Sequence, residues 1–417
     1  MRIIELNTTT EKELFKRRET EDFEALKIAS RIVSDVRARG DEAVERWTRK
    51  LDHADISKRG IWLNAAEIAA AQKKASPEFL RAVKHAARNV RSVAEKQKPQ
   101  DWKMEVERGV TVAQMIRPLE TIGCYAPGGR FALVSTLIMT VVPAQVAGVK
   151  EIIAVCPHPN DELLATAGTL GITRLARIGG AQAIAAMAYG TKKIPRVEKI
   201  FGPGNRYVTA AKQIVSANCA IDLPAGPTEA VVLAERGNAK WIAADLLAQA
   251  EHAPDAGSYL VTTSISLAKK VAMEVERQLN TLSPKNAAHA SFTDTSAILV
   301  AKSVRDAIAF VNRFAPEHLS LPENNRNVLK QISSAGTIFL GPLSAQPFGD
   351  YASGSNHVLP TGGWARRRGG LSTNDFVKRI SVQTIDAAGF KRLGKDVQIL
   401  ANAEGLEAHA NAVEVRR

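Results

Sequence analysis

The chain has 417 residues, enough for two or more domains of the usual ~100–200 residues, and its 45% hydrophobic and 24% charged content is that of an ordinary globular protein. Disordered, collagen-like and low-complexity chains are excluded. The net charge of +13 comes from 56 basic against 43 acidic residues; apart from Arg366-Arg367-Arg368 the cations are scattered among acids, without the aromatics on which bases stack, so a solvated basic surface is expected and no nucleic-acid partner.

Cys124, Cys156 and Cys219 are odd in number, lack CxxC spacing and sit in core-like runs, which argues against a disulfide framework or a cysteine zinc site. The opening residues contain no long apolar stretch, and none approaching about 18 residues follows. A soluble cytoplasmic protein with no membrane partner is the expectation.

Residues 1–20 read as an N-terminal segment. From residue 21 to about 120 the chain reads as mostly helical: Phe23, Leu26, Ile28, Ile32 and Val36 keep helical spacing, and Ser76-Pro77-Glu78 offers an N-cap, an N1 proline and a first-turn acid. After residue 120 short apolar runs alternate with helices. ETIGCY (120–125) is a predicted strand, Ser135 to Ala147 a helix, EIIAVC (151–156) a strand, and the alternation continues to residue 226. Repeated β-α units imply a parallel sheet covered on both faces.

A second series follows at once. EAVVLAE, SYLVTTS, AILVAKS and GTIFLG are predicted strands, with helices at Asn238 to Glu251, Ser266 to Leu279 and Val304 to about Phe314. The predicted fold class is therefore α/β, with two tandem Rossmann-like parallel-sheet units, a helical N-terminal segment and a C-terminal tail. Residues 342–370 form a long Gly/Pro-rich stretch, and a loop of that size in a compact domain is usually functional. The chain then ends in polar segments read as helical.

Three glycine turns, APGG (126–129), IGGAQ (178–182) and GPGN (202–205), each follow a predicted strand and precede a helix. This puts backbone N–H groups at the carboxyl edge of a sheet, where phosphates and dinucleotides bind. None completes GxGxxG, since Tyr207 takes the last position. Gln249 and His252 lie three residues apart near a helix end, a spacing that serves either one metal or a helix C-terminus with a favourable imidazole. Glu317-His318 sets a carboxylate beside an imidazole just after Pro316, as proton transfer requires, although such dipeptides also occur on ordinary surfaces. Asp350 and His357 in the long loop, and His409 in the tail, add residue types that bind zinc.

Taken together, GPGNRYVTAAK, DLPAGPTE, LLAQAEH, NRFAPEHL, GDYASGSNHVLPT and EGLEAH resemble the histidinol dehydrogenase family, in the right order and spacing from about residue 120 onward. The resemblance implies a zinc- and NAD-dependent enzyme that oxidises L-histidinol by way of histidinal to L-histidine, closing histidine biosynthesis. It places one zinc per subunit on Gln249, His252, Asp350 and His409, and the acid/base pair on Glu317 and His318. NAD contacts fall on Tyr125, Gln182 and Asn205; substrate contacts fall on Thr228, Gln249, His252, His318, Asp350, Glu404 and His409. It also implies a homodimer in which the tail reaches the neighbouring site.

The corresponding domain division is residues 1–20; 21–119 with 229–371 as a first α/β domain bearing the metal and acid/base residues; 120–228 as a second, on the NAD side; and 372–417 as a helical tail. Four positions depart from the family pattern. Thr228 stands where serine is common, Leu133 and Val134 where Tyr-Pro is common, and Gly257 where glutamine is frequent. A relative oxidising another small polar alcohol, such as a sulfonated diol, is the alternative these leave open.

Overall fold

The computed structural model describes residues 1–18, 22–128, 133–223 and 226–417. Gly129 of the APGG turn and Pro224-Ala225 of DLPAGPTE therefore lie outside the described residues. β1 (Arg2–Glu5) opens the chain, and β2 (Trp102–Glu107) and β3 (Val110–Pro118) follow a helical stretch. Next come β4 (Thr121–Tyr125), β5 (Glu151–Val155), β6 (Leu175–Ala176), β7 (Lys199–Phe201) and β8 (Ala220–Ile221). The second series is β9 (Glu229–Leu233), β10 (Gly257–Thr262), β11 (Ala297–Val300), β12 (His318–Leu321) and β13 (Thr337–Leu340), and β14 (Val377–Ile385) is last.

Two parallel sheets result, as the alternation predicts. The five-stranded sheet has the order β6-β5-β4-β7-β8 and the six-stranded one β1-β11-β10-β9-β12-β13. In each, the first strand of the unit lies between the second and the fourth, so the strand order reverses beside it; that is the Rossmann arrangement and its switch point. β9 and β10 are buried along their whole length, which explains why they read as continuous apolar runs rather than as alternating ones.

The N-terminal helices cover the five-stranded sheet. Helices Phe23–Arg39 and Asp41–Leu51 bury Ala25, Ile32, Val36 and Trp47 against Ile153, Ile184 and Val208 on one face. On the other face Pro77–Gln97 packs Val83 and Val90 beside Leu137 and Val141 of the almost wholly buried helix Val134–Ala147. Each such aliphatic side chain contributes roughly 1.5–3 kcal/mol when fully buried. The packing thus differs from the expected grouping of 21–119 with 229–371: these helices share their cores with the sheet of residues 121–221. Ser76 caps its helix as expected, accepting from the Phe79 N–H at 3.1 Å.

Two stretches read as helical are strands. β3 pairs antiparallel with β2 on one side and β14 on the other, so 102–118 and 377–385 build a third sheet of order β14-β3-β2. Its strands carry Lys, Arg, Glu and Gln among their Val, Ile and Thr residues and are largely exposed. No buried face writes a period-2 pattern there, so only β-branched content marked them as strands.

Candidate active site

The junction between the two parallel units places the candidate residues. In a β-α-β unit the helix runs antiparallel to its strands, so the end of helix Ala239–Ala250 returns to the amino edge of the six-stranded sheet. Gln249, fully buried, lies there together with Thr228 just before β9 and Glu317-His318 at the start of β12, β9's neighbour across the switch point. Ligands in open α/β sheets usually bind at the carboxyl edge instead. Here residues 222–228 join the carboxyl end of β8 to the amino end of β9, a reach of about 25 Å at most. That short connection keeps the carboxyl edge of one sheet near the amino edge of the other.

Sharp termination of helix Val304–Phe314 aims the acid/base pair. Ala315 takes the left-handed conformation (φ 49°) and Pro316 cannot continue the helix, so the chain turns directly into β12. A chain of donors then fixes Glu317. The Gln346 amide donates to Gln249 Oε1 at 2.5 Å and Gln249 Nε2 to Thr228 Oγ1 at 2.7 Å; the Thr228 hydroxyl donates to Glu317 Oε2, which also accepts the Glu229 N–H at 3.1 Å. Thr228 performs this with the hydroxyl it shares with serine.

His318 stands between two acids, its Nδ1 3.7 Å from Glu317 Oε2 and its Nε2 3.7 Å from Asp350 Oδ1. Both ring nitrogens are buried and neither is hydrogen-bonded among the described residues. Burial alone would lower its pKa, but the flanking Glu317 and Asp350 charges outweigh that and raise it. Glu317 is raised by burial, against the pull of His318 and the Thr228 hydroxyl. Asp350 shows the opposite balance: burial would raise it, yet His318, His357 and His252 hold it below the usual carboxylate range. His357 anchors the loop through Nδ1, 2.8 Å from the Asp350 carbonyl oxygen.

Behind Glu317 lies a pair that the sequence did not reveal. Arg18 forms a buried ion pair with Glu229, with its guanidinium 3.8 Å from the Phe314 ring centroid. Burial raises the Glu229 pKa to about 7 from an ordinary 4.5, and Arg18 restrains it. A group whose folded pKa lies above its free value gives its full stabilising contribution below pH 4.5 and loses it as pH rises through about 7. Arg18→Met should therefore cost about 3 kcal/mol of stability at pH 8, where the variant must either bury an unpaired Glu229 carboxylate or take up a proton to neutralise it, and much less at pH 5. Thermal melts at the two pH values measure the difference, and an equal loss at both would contradict it.

Of the residues expected to hold metal, Gln249 and Asp350 lie at this edge and His252 follows its helix on the exposed side, close enough for its charge to act on both Glu317 and Asp350. His409 and Glu404 do not join them. Both are exposed on the tail, and neither side chain is hydrogen-bonded or ion-paired to the site among the described residues. No group of three or more His, Cys, Asp or Glu forms a metal cluster among those residues. An amide oxygen, an imidazole and a partly buried carboxylate are nonetheless donor types that suit zinc, one short of four.

Tyr125, Gln182 and Asn205 lie at the carboxyl edge of the five-stranded sheet. The Tyr125 hydroxyl, at the end of β4, accepts the Gly180 N–H at 3.1 Å, leaving its own proton to donate. Asn205 caps helix Arg206–Val215, accepting from the N–H groups of Tyr207 and Val208. Gly202 begins the GPGN turn at φ 109°, where a Cβ would meet the Tyr125 carbonyl oxygen at 2.2 Å. Asp222 accepts the Gly202 N–H at 2.7 Å and pairs with Lys212, whose ammonium also donates to the Gly202 carbonyl at 3.0 Å. A lysine on the buried stripe of Val208, Ala211 and Val215 was the available sign of this lock. Of the departures, Gly257 is filled from within the chain: a Cβ there would lie 2.8 Å from the Tyr259 ring. The long loop is tied to this unit by Asn356 Nδ2 donating to the Met139 carbonyl at 2.7 Å and by the Gly226 N–H donating to Thr361 Oγ1 at 2.6 Å.

Comparison with known proteins agrees with this architecture. The family model described as histidinol dehydrogenase matches residues 15–417. The chain is 45% identical over 392 residues to a histidinol dehydrogenase of Halalkalibacterium halodurans, covering 92% of each chain. It is 46% identical over 392 residues to one of Geobacter sulfurreducens, covering 92% of this chain and 91% of that one. The crystal structure of histidinol dehydrogenase from Elizabethkingia anophelis superposes with a TM-score of 0.94 at 40% identity, covering 100% of this chain and 98% of that one. The chain belongs to the histidinol dehydrogenase family of NAD-linked oxidoreductases in histidine biosynthesis.

Proposed function

We propose that the protein is a cytoplasmic L-histidinol dehydrogenase that oxidises L-histidinol to histidinal and then to L-histidine, with two NAD and one zinc per subunit. The observation that carries this reading is His318, buried with two unsatisfied ring nitrogens between Glu317 and Asp350, in a chain whose neighbouring sheet has the Rossmann strand order. His318 takes the hydroxyl proton of the alcohol as hydride leaves the same carbon, and takes a second hydroxyl proton from the hydrated aldehyde. Glu317, with its raised pKa, removes the proton from the water that attacks the aldehyde carbon. NAD, when bound along the edge of Tyr125, Gln182 and Asn205, supplies the hydride acceptor.

Zinc, when held by Gln249, His252, Asp350 and His409, supplies a cation that anchors the imidazole and amine nitrogens of the substrate. Thr228 and Glu404 add substrate contacts. The fourth metal ligand comes from a second copy of the chain. Trp102, Met104, Val106 and Ile380 of the third sheet, and Ile399 and Leu400 of the tail helix, are exposed apolar side chains that support such a homodimer. Three free buried cysteines suit a reducing compartment, and no helix among the described residues is long and apolar enough to cross a membrane.

His252→Ala and Asp350→Ala should each lose tightly bound zinc, because three protein ligands leave the ion incompletely held. Stoichiometric zinc in both purified variants would show the ligand assignment to be wrong. The functional reading itself is tested by offering the zinc-loaded protein NAD with L-histidinol or a sulfonated diol. NADH formation with L-histidinol supports it; turnover of the diol alone would sink it.

A further inference from the structure

In dinucleotide-binding sheets of this strand order an acidic side chain at the carboxyl edge reads the ribose hydroxyl of NAD and repels the phosphate of NADP. Here β5 runs out into Cys156-Pro157-His158. The next acids, Asp161 and Glu162, belong to the first turn of a helix, and Asp161 is paired with Lys74 at 3.1 Å. The strand itself supplies no acid to the edge.

Asp52 reaches that edge from the N-terminal helical layer. It ends helix Asp41–Leu51 as its C-cap, and His53 after it adopts φ 51° as the chain turns away. Its carboxylate is half-buried, accepts from Gln182 Nε2 at 3.0 Å, and forms no ion pair among the described residues. Burial raises the Asp52 pKa, opposed by the charge of His158 just beyond β5 and by the Gly179 N–H.

The polarity of the Gln182 contact matters. A carboxylate only accepts, so Asp52 obliges Gln182 to present its nitrogen and to leave Oε1 as a free acceptor. That oxygen is fully buried and has no donor among the described residues. It lies over Gly180, where a Cβ would approach it to 2.6 Å, on the turn whose N–H holds the Tyr125 hydroxyl. A buried unsatisfied acceptor beside an unpaired carboxylate, at the carboxyl edge of the five-stranded sheet, calls for a ligand rich in hydroxyl and amide donors.

We propose that Asp52 is a dinucleotide-binding residue that orients the Gln182 amide, accepts a ribose hydroxyl, and sets the preference for NAD over NADP. This rests on the NAD reading above and assigns that site its acidic specificity residue, supplied by the helical layer rather than by β5.

The test is direct binding of NADH and NADPH to the full-length protein, followed by coenzyme fluorescence, for wild type, Asp52→Asn and Asp52→Ala, with thermal melts of all three. Wild type should prefer NADH. In both variants NADH should weaken by about tenfold, the size expected on losing a charge-assisted hydrogen bond, while NADPH holds or tightens, so that the preference collapses. Equal weakening of both coenzymes, or none, would overturn the proposal, because a merely structural Asp52 cannot change their ratio. Wild type that binds neither coenzyme would defeat the NAD reading and this inference with it, whereas a wild type that prefers NADH with unchanged variants defeats only the role of Asp52.

Discussion

Glu317→Gln should leave the alcohol-to-aldehyde step nearly intact and slow the aldehyde-to-acid step by the ~10²–10⁴-fold typical of a lost general base. Only the second step needs an activated water. Glutamine keeps the size of the side chain and a carbonyl oxygen to accept from the Thr228 hydroxyl and the Glu229 N–H, so the site stays assembled while the base is lost. His318→Ala should slow both halves, since each begins with a proton leaving a hydroxyl. Single-turnover measurements that start from the alcohol and, separately, from supplied aldehyde divide the two. Normal aldehyde oxidation by the Glu317 variant would hand the base role to another residue.

Removal of residues 404–417 should abolish turnover while leaving the folded core in place. The truncated residues Glu404, Glu407 and His409 are exposed, and the tail helices pack chiefly on one another and on the third sheet. Circular dichroism should therefore change little as activity disappears. If His409 completes a neighbour's site, mixing an inactive Glu317/His318 double variant with an inactive His409 variant should restore part of the activity, because exchange produces dimers with one intact site. No recovery after demonstrated exchange would return His409 to its own subunit's site or remove it from catalysis.

The parallel units were legible because burial on both faces makes each strand an unbroken apolar run, and their alternation with helices leaves few topologies. The third sheet was not, because β2, β3 and β14 have no buried face to write a pattern. The grouping of the helical layer could not be read either: Ile32 and Val83 announce that a helix has an apolar side without naming the sheet it covers. At the site, Glu317-His318 and Gln249 were visible as residue types at telling spacings. Arg18–Glu229, Lys212–Asp222 and Asp52–Gln182 were not, since each joins residues separated by 211, 10 and 130 positions, respectively, and only the fold brings them together. His409 stays apart from Gln249, His252 and Asp350 in the single chain, and the proposed shared site requires that separation.

The central claim is that one site carries an alcohol through two successive oxidations. Counting the NADH formed as a limiting amount of L-histidinol is consumed to completion by the zinc-loaded protein tests it most directly. Two NADH per histidinol with L-histidine as the product are expected; one NADH with aldehyde accumulating, or none, would contradict two successive oxidations at one site.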